Sequence, residues 1–495
     1  MDSTADLRLL LASRHPLIVA EMDDEVRFME ILRRAAVASG VPVWTWSATQ
    51  GLRRDGMGQQ AGTTDARVAL AFIAQIKDSG LFIMNDLRPF LSDNQVVRLI
   101  KEISQLNLPG QTIVLTGSSA EVPPELHGIA LPWTLEPPGR DEVEAEVRRT
   151  IGDLSARKFA VALDDKQVDG LVEAVRGLTL PEAERLIVRA ALADGKLEGD
   201  DVAEVREAKA ELLETDGVLE LIPAESGSLD NVGGMDNLKA WLAVRGRGFE
   251  PAAKQFGLDP PRGVLLTGVP GCGKSLVAKT LARTWGLPLV LLDPGSIYGS
   301  YVGESEARLR SALNTVEAMA PVVLWLDEIE KGFAAGTGAG DSGVSQRVLG
   351  AFLHWMQERP PGVFLVATSN DVERLPPELL RRGRFDEIFF VDLPNQTERE
   401  AIFRLHLSKR KRDPAVFDLA LLGRASGGFS GAEIEGAIVG AMYRAFAAGS
   451  DVATETMLEE LAQTTPLSRT RAEDVAAMRA WSRGRATPAT TPDPS

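Results

Sequence analysis

The sequence predicts an α/β protein in which a three-layer parallel sheet is followed by a C-terminal helical lid and preceded by a second α/β domain with its own helical segment. Three observations predict this. Residues 262–395 alternate short apolar strand runs with helix-length spacers, strand signals cease after residue 397, and the first half repeats the punctuation of the second.

The strand runs are Arg262–Thr267, Leu287–Leu292, Val322–Asp327, Val363–Ser369 and Glu387–Val391. None has the alternating polar face of a half-exposed strand, so they read as parallel strands buried on both sides, with spacers long enough for crossover helices. Beyond Thr397, the segments Glu398–Lys409, Asp418–Ala425, Ser430–Ala447 and Met457–Thr464 read as helices separated by Gly-rich breaks. Residues 484–495 carry almost nothing apolar and read as a disordered tail. In the first half, Gly80–Asp86 parallels Pro321–Asp327, each an apolar run ending in an acid. Gln111–Ser118 parallels Val363–Asn370, and each is followed by Pro-Pro-Glu-Leu, at Pro123–Leu126 and Pro376–Leu379. The acidic helix after a proline turn and the Ser/Thr-capped helix also recur in the same order, which argues for duplication. The expected domains are 1–150, 151–225 (helical lid-like segment and linker), 226–395, 396–483 (helical lid) and 484–495.

Composition narrows the function classes. With 495 residues and 44% hydrophobic content the chain has ample core material. No run of about 18 uncharged apolar residues occurs and the acidic N-terminus is no signal peptide, so the reading is a cytoplasmic protein without a membrane span. One cysteine, Cys272, and four scattered histidines exclude a disulfide scaffold and a zinc cluster. The net charge of -16 is concentrated in residues 1–225, which hold 24 Lys+Arg against 38 Asp+Glu. That balance argues against a general nucleic-acid binder.

The chemistry lies in the second half. Gly268-Val269-Pro270-Gly271-Cys272-Gly273-Lys274-Ser275 has the spacing G-x-x-x-x-G-K-[ST] between an expected strand and a helix that begins around Leu276. Its glycines let backbone amides surround phosphates, the helix contributes its positive end, Lys274 reaches the terminal phosphates and Ser275 holds Mg²⁺. Cys272, at that helix mouth, is expected to be alkylatable and protected by ATP. The strand at Val322 closes on Asp327 and Glu328 beside this loop, placing Asp327 for Mg²⁺ and Glu328 for the attacking water. Asn370, ending the next strand, is placed to reach the γ-phosphate or its water. Arg381, Arg382 and Arg384 follow in one turn at the far end of the sheet, where a neighbouring subunit's nucleotide is the natural target.

These motifs occur in the order of the AAA family of ATPases, with Gly233-Gly234 before them, Ser300-Tyr301-Val302-Gly303-Glu304 between them and Phe429-Ser430-Gly431-Ala432-Glu433 after them. The whole chain resembles the AAA proteins named after a hypothetical chloroplast reading frame. The resemblance implies ATP and Mg²⁺ as ligands, a homo-oligomeric ring, usually a hexamer, and remodelling or threading of a protein substrate. It further implies Tyr301 and Val302 in a substrate-gripping pore loop, Gly336–Gly343 in a second, Arg381 and Arg384 as trans-acting arginines, and Gly234, Gly431 and Ala432 near the nucleotide base. Arg382 departs from the proline usual between those arginines. Residues 1–225 have no Gly-Lys-Ser/Thr triplet and Leu87 follows Asp86, so that half reads as an ATPase-like fold without its chemistry, serving as scaffold or partner-binding adaptor. Two other functions remain open at this level: an ATP-gated regulatory switch that does not thread, and a DNA-linked AAA machine.

Overall fold

The computed structural model describes residues 3–22, 24–106, 108, 110–117, 122–215, 217–223, 232–297, 304–333 and 344–490. The chain divides into two compact units, residues 1–172 with 178–198, and residues 173–177 with 199–495.

In the first unit, chain order runs α1 (Ser3–Ala12), β1 (Leu17–Glu21), α2 (Glu25–Ser39), β2 (Val43–Ser47), β3 (Gly51–Arg54), α3 (Ala66–Ile73), β4 (Gly80–Asn85), α4 (Asn94–Leu106), β5 (Gln111–Gly117), β6 (Ala130–Thr134) and α5 (Arg140–Ala156). Then come β7 (Ala160–Ala162), α6 (Asp165–Val175), α7 (Leu180–Asp194) and β8 (Lys196–Glu198), with β7 and β8 paired in parallel. The main sheet has the order β3-β2-β4-β5-β1-β6 and is parallel except for the β2–β3 hairpin. Alternation sends Leu17, Val19, Phe82 and Met84 into one core and Ile18, Ala20, Leu81 and Ile83 into the other, so both faces are covered. Asp24 starts α2 by accepting from the Arg27 amide at 2.9 Å.

The second unit opens with α8 (Asp201–Thr215), β9 (Leu219–Ile222), α9 (Asp236–Gly246), α10 (Pro251–Gln255), β10 (Gly263–Gly268), α11 (Lys274–Trp285), β11 (Leu289–Leu292), α12 (Glu304–Ala318) and β12 (Val322–Leu326). It continues through α13 (Glu330–Phe333), α14 (Val344–Glu358), β13 (Val363–Ser369), β14 (Glu387–Val391), α15 (Gln396–Lys409), α16 (Leu419–Ala425), α17 (Gly431–Ala447), α18 (Thr454–Gln463), α19 (Leu467–Thr470), α20 (Ala472–Ser482) and β15 (Thr487–Pro488). The sheet order is β15-β14-β10-β13-β12-β11-β9, with only β9 antiparallel. Val264, Leu266, Val323 and Val366 face one core, and Leu265, Leu324, Leu365 and Ala367 the other. Helices α15 to α18 enclose a separate apolar cluster around Phe403, Ile434 and Met457, which makes the helical lid.

Both sheets share one permutation, since β2-β4-β5-β1-β6 and β11-β12-β13-β10-β14 place the first strand between the last two. The duplicated order of elements is therefore present in the fold. Its register differs by one residue from the sequence alignment. Asn85 lies opposite Thr116 and accepts from the Thr116 hydroxyl at 3.2 Å, as Asp327 accepts from the Thr368 hydroxyl at 2.5 Å. The next residues, Asp86 and Glu328, share a left-handed backbone with φ of 51° and 48°. Asn85 thus stands where Asp327 does and Asp86 where Glu328 does, whereas aligning acid with acid had equated Asp86 with Asp327. A slip of one residue exchanges the faces of a strand, so the hydrogen bonds decide it.

Two expected boundaries change as well. Residues 199–223 belong with the second unit, where β9 extends its sheet beside β11. The segment expected as a tail is structured as far as Thr490: β15 pairs with β14, and buried Ala489 donates its amide to the Phe390 carbonyl at 2.9 Å. Few apolar side chains are needed because the backbone itself supplies the pairing.

Candidate functional site

The site grows from the end of β10. Gly268, Gly271 and Gly273 have φ of 136°, 75° and 90°, in the region that favours glycine. A Cβ on Gly268 would lie 2.1 Å from the Val391 carbonyl oxygen, and the Val269 amide donates to that same oxygen at 3.0 Å. The loop therefore turns tightly against β14 and delivers Lys274 and Ser275 as the first residues of α11. The Leu276 side chain is 39% exposed on the first turn. Lys274 is buried and donates to the Gly268 and Val269 carbonyls at 2.8 and 2.9 Å. Burial pulls its ammonium down to about 8, with Glu330, Asp327 and Glu328 opposing from nearby. A buried ammonium held by carbonyls, at a helix N-terminus among positive-φ glycines, is suited to receive phosphate.

A single hydrogen-bonded chain crosses from α11 to two strand ends. Ser275 Oγ donates to Asp327 Oδ1 at 2.9 Å, and Thr368 Oγ1 donates to the same oxygen at 2.5 Å. The Glu328 amide donates to Thr368 Oγ1 at 2.9 Å, so the threonine fixes both acids. Asn370 Nδ2 donates to Glu328 Oε1 at 2.7 Å, while Lys331 pairs with the other side of that carboxylate. The Asn370 amide donates to Glu330 Oε1 at 2.9 Å. Asn370 therefore holds the carboxylate expected to act on water. A left-handed φ at Glu328, a non-glycine residue, costs about 1 to 2 kcal/mol, and this network retains it.

The wall that Gly234, Gly431 and Ala432 were expected to form comes from three distant segments. The Ala432 amide at the start of α17 donates to the Gly271 carbonyl at 3.0 Å, and a Cβ on Gly431 would lie 3.4 Å from that oxygen. Ser430 caps α17 in a reciprocal box with Glu433. Gly234, with φ of 73°, leaves room for Glu398, whose Oε1 accepts from the Met235 amide at 3.0 Å. Glu398 also accepts from the Asn395 amide at 2.9 Å and the Thr490 hydroxyl at 2.7 Å.

The expected site residues Gly268 to Leu276, Asp327, Glu328 and Asn370 are thus brought together, with Gly431 and Ala432 against the loop and Gly234 beside Glu398. Arg381 and Arg384 are elsewhere. They precede β14, and Asp386 holds the Arg262 and Gly263 amides at 2.6 and 3.0 Å at the start of β10. Parallel strands of five or six residues put that end roughly 16 Å from the phosphate loop. Arg381 is exposed, and Arg384 has a buried Nη1 with no partner among the described residues. Tyr301, Val302 and Gly336–Gly343 lie outside the described residues. The expected reactivity of Cys272 does not hold. It is buried, its Sγ faces the Pro270 carbonyl at 3.8 Å, and burial pushes its thiol up to about 12. Glu398, Met235 and Thr490 were not found from the sequence; the Asn395-x-x-Glu398 capping-box spacing was a signal for Glu398 alone.

In the first unit the equivalent turn is short and acidic. Only three residues separate β1 from α2, against five between β10 and α11. Glu25, the first residue of α2, accepts from Asn85 Nδ2 at 2.8 Å where Ser275 meets Asp327 in the second unit.

Residues 264–393 match the family described as ATPases associated with various cellular activities, AAA. Residues 3–131 match the N-terminal domain of SpoVK-like AAA ATPases, and residues 141–216 match their second domain. The AAA domain-containing protein ycf46 of Pyropia yezoensis is 34% identical over 97% of this chain and 98% of its own length. The protein of the same name from Trieres chinensis is 34% identical over 96% of each. The ATP-dependent zinc metalloprotease FtsH of an Aster yellows witches'-broom phytoplasma is 37% identical over 37% of this chain and 27% of its own length.

Proposed function

The chain belongs to the AAA family of ATPases, and from that premise we propose that it hydrolyses Mg²⁺-ATP within a homo-oligomeric ring, usually a hexamer, and couples this to remodelling or threading of a protein substrate. The observation that carries the reading is the chain Ser275–Asp327–Thr368–Glu328–Asn370 at the mouth of the glycine loop.

Each residue has a task within it. The loop amides and the N-terminal end of α11 bind the triphosphate, and Lys274 moves from the Gly268 and Val269 carbonyls to the terminal phosphate oxygens. Ser275 Oγ and the Asp327 carboxylate are a hydroxyl and an acid 2.9 Å apart, a donor pair suited to Mg²⁺, which when bound would offset charge on the phosphates. Glu328 orients the attacking water and accepts its proton, and Asn370 keeps the Glu328 carboxylate aimed. Arg381 and Arg384, too far from their own loop, serve a neighbour's nucleotide, so hydrolysis needs the ring. Gly431, Ala432 and Gly234 flank the base, which ties lid position to occupancy.

Tyr301 and Val302 are proposed to grip the substrate, and residues 1–225 to recruit it. The test is a trapping experiment. Glu328→Gln should bind ATP without turnover and retain a polypeptide client, Lys274→Ala should lose nucleotide, and Tyr301→Ala should keep basal hydrolysis but lose remodelling. Full remodelling by Tyr301→Ala would refute threading and leave an ATP-gated switch.

A further inference from the structure

At the end of α11 remote from the phosphate loop, about 18 Å along a 12-residue helix, the second unit contains a cavity of about 960 Å³. Its charged lining is Arg176, Arg206, Lys209, Lys279 and Arg283, set against the two carboxylates Glu173 and Glu207. The remaining wall is apolar, with Leu221, Ile222, Leu289, Met319 and Pro321 among its residues.

We propose that this cavity binds a small monocarboxylate carried on an apolar body, at a site separate from the nucleotide. The central observation is Lys209, only 3% exposed, whose ammonium donates to the Arg176 carbonyl. Among the described residues neither Lys209 nor Arg206 forms an ion pair with a carboxylate. A buried ammonium without a counter-ion is costly, and an arriving carboxylate removes that cost. Arg176 is held in place by Glu173 at 3.2 Å and by the Ala320 carbonyl, so the cationic side of the cavity is built rather than loose. Lys279 Nζ lies 5.8 Å from the Trp325 ring centroid, which fixes the far rim.

The charge count sets the class of ligand. The ammonium of Lys209 and the guanidinium of Arg206, neither paired with a carboxylate among the described residues, call for an anion, yet Glu173, Glu207 and the carbonyl end of α11, closed by Gly286, all disfavour a second negative charge. A single carboxylate satisfies both. The apolar wall takes a hydrocarbon or ring, and the volume lies in the range of small-molecule sites. Among the described residues the cavity has no glycine loop with convergent amides, which distinguishes it from the phosphate site.

A protonic signature follows from the same geometry. Burial pulls Lys209 down to about 7, with Arg176 and Arg206 acting in the same direction and Glu173 against it; Lys279 and Arg283 face it from α11, while β9 contributes only apolar lining. A bound carboxylate restores the proton, so binding takes up protons near pH 7 and weakens toward pH 9.

The test is calorimetric titration of the full chain with octanoate, 1-octanol and acetate at pH 7, in two buffers of different ionisation enthalpy. Expected are one octanoate per chain, roughly tenfold weaker binding of both the uncharged alcohol and the truncated acid, and buffer-dependent heats that report proton uptake. Lys209→Met should weaken octanoate roughly tenfold and abolish the buffer dependence without lowering the melting temperature. Should Lys209→Met fail to fold, Arg206→Gln, an exposed change, decides instead through a loss of about threefold or more. Equal affinity for octanoate and octanol, buffer-independent heats, or unchanged affinity in the variant that folds would overturn the proposal.

Discussion

Replacing Thr368 by valine removes one hydroxyl at nearly constant volume, so no cavity term enters. That hydroxyl donates to Asp327 Oδ1 at 2.5 Å and accepts from the Glu328 amide at 2.9 Å. A hydrogen bond to a carboxylate contributes about 1.5 to 3 kcal/mol, and an amide left without a partner costs about 1 to 3 kcal/mol. Part of this returns when Glu328, released from its φ of 48°, relaxes by about 1 to 2 kcal/mol. The net loss of stability is therefore about 3 kcal/mol, within a span of roughly 0.5 to 5 kcal/mol. Catalysis suffers for a different reason, because Asn370 alone cannot hold the Glu328 carboxylate once its backbone has moved. A displacement near 1 Å costs about 100-fold in kcat. ATP binding through the glycine loop and Lys274 is largely preserved, so Kd should stay within about threefold. Urea unfolding monitored by tryptophan fluorescence, nucleotide titration and single-turnover hydrolysis measure the three quantities. Thr368→Ser, which keeps the hydroxyl, should recover most of the rate. Unchanged kcat in Thr368→Val, or an equal loss in the serine variant, would show that Thr368 does not position Glu328.

Further outcomes follow from the same geometry. Lys274, pulled down to about 8, is charged below that pH and neutral above it in the free protein, so ATP affinity should hold from pH 6 to 8 and decline above, by up to about tenfold per unit; Lys274→Arg should remove that decline. Arg384→Ala and Lys274→Ala should each be inactive alone yet regain partial hydrolysis when mixed, and strict additivity of two inactive proteins would disprove a shared site. Nucleotide should bind with a stoichiometry of one per chain and vanish in Lys274→Ala; residual binding would contradict the expectation that the first unit, which has an acidic turn at Glu25 in place of a glycine loop, has lost its nucleotide chemistry. Thr490→Val, which strips one hydrogen bond from Glu398, should raise KM for ATP severalfold while kcat holds, and Thr490→Ser should reverse it.

How much of this was legible depended on separation along the chain. The phosphate loop, Asp327, Glu328 and Asn370 could be recognised because each lies within a local strand-and-turn pattern, and the strands themselves appeared as apolar runs. Ser430 and Glu433 likewise follow from a spacing of three. The Glu398 hub escaped because its partners, Met235 and Thr490, lie 163 and 92 residues away, and no local pattern encodes such a meeting. Cys272 departs from its expectation for a related reason: a helix mouth suggests an activated thiol, but in the fold this side chain is buried, and its local sequence does not encode that depth. The equivalence of Asn85 with Asp327 required cross-strand hydrogen bonds, which apolar patterning at a period of two leaves undetermined by one residue.

The two outermost strands of the second sheet carry a practical consequence. β9 and β15, at residues 219–222 and 487–488, both lie beyond the 264–393 stretch that matches the AAA family. A fragment trimmed to that stretch would strip the flanks from β11 and β14, leaving rows of bare amides and carbonyls that invite self-association into aggregates. Fragments intended for solution work should begin before Val218 and run past Thr490, and insolubility of shorter pieces would reflect the cut rather than the protein.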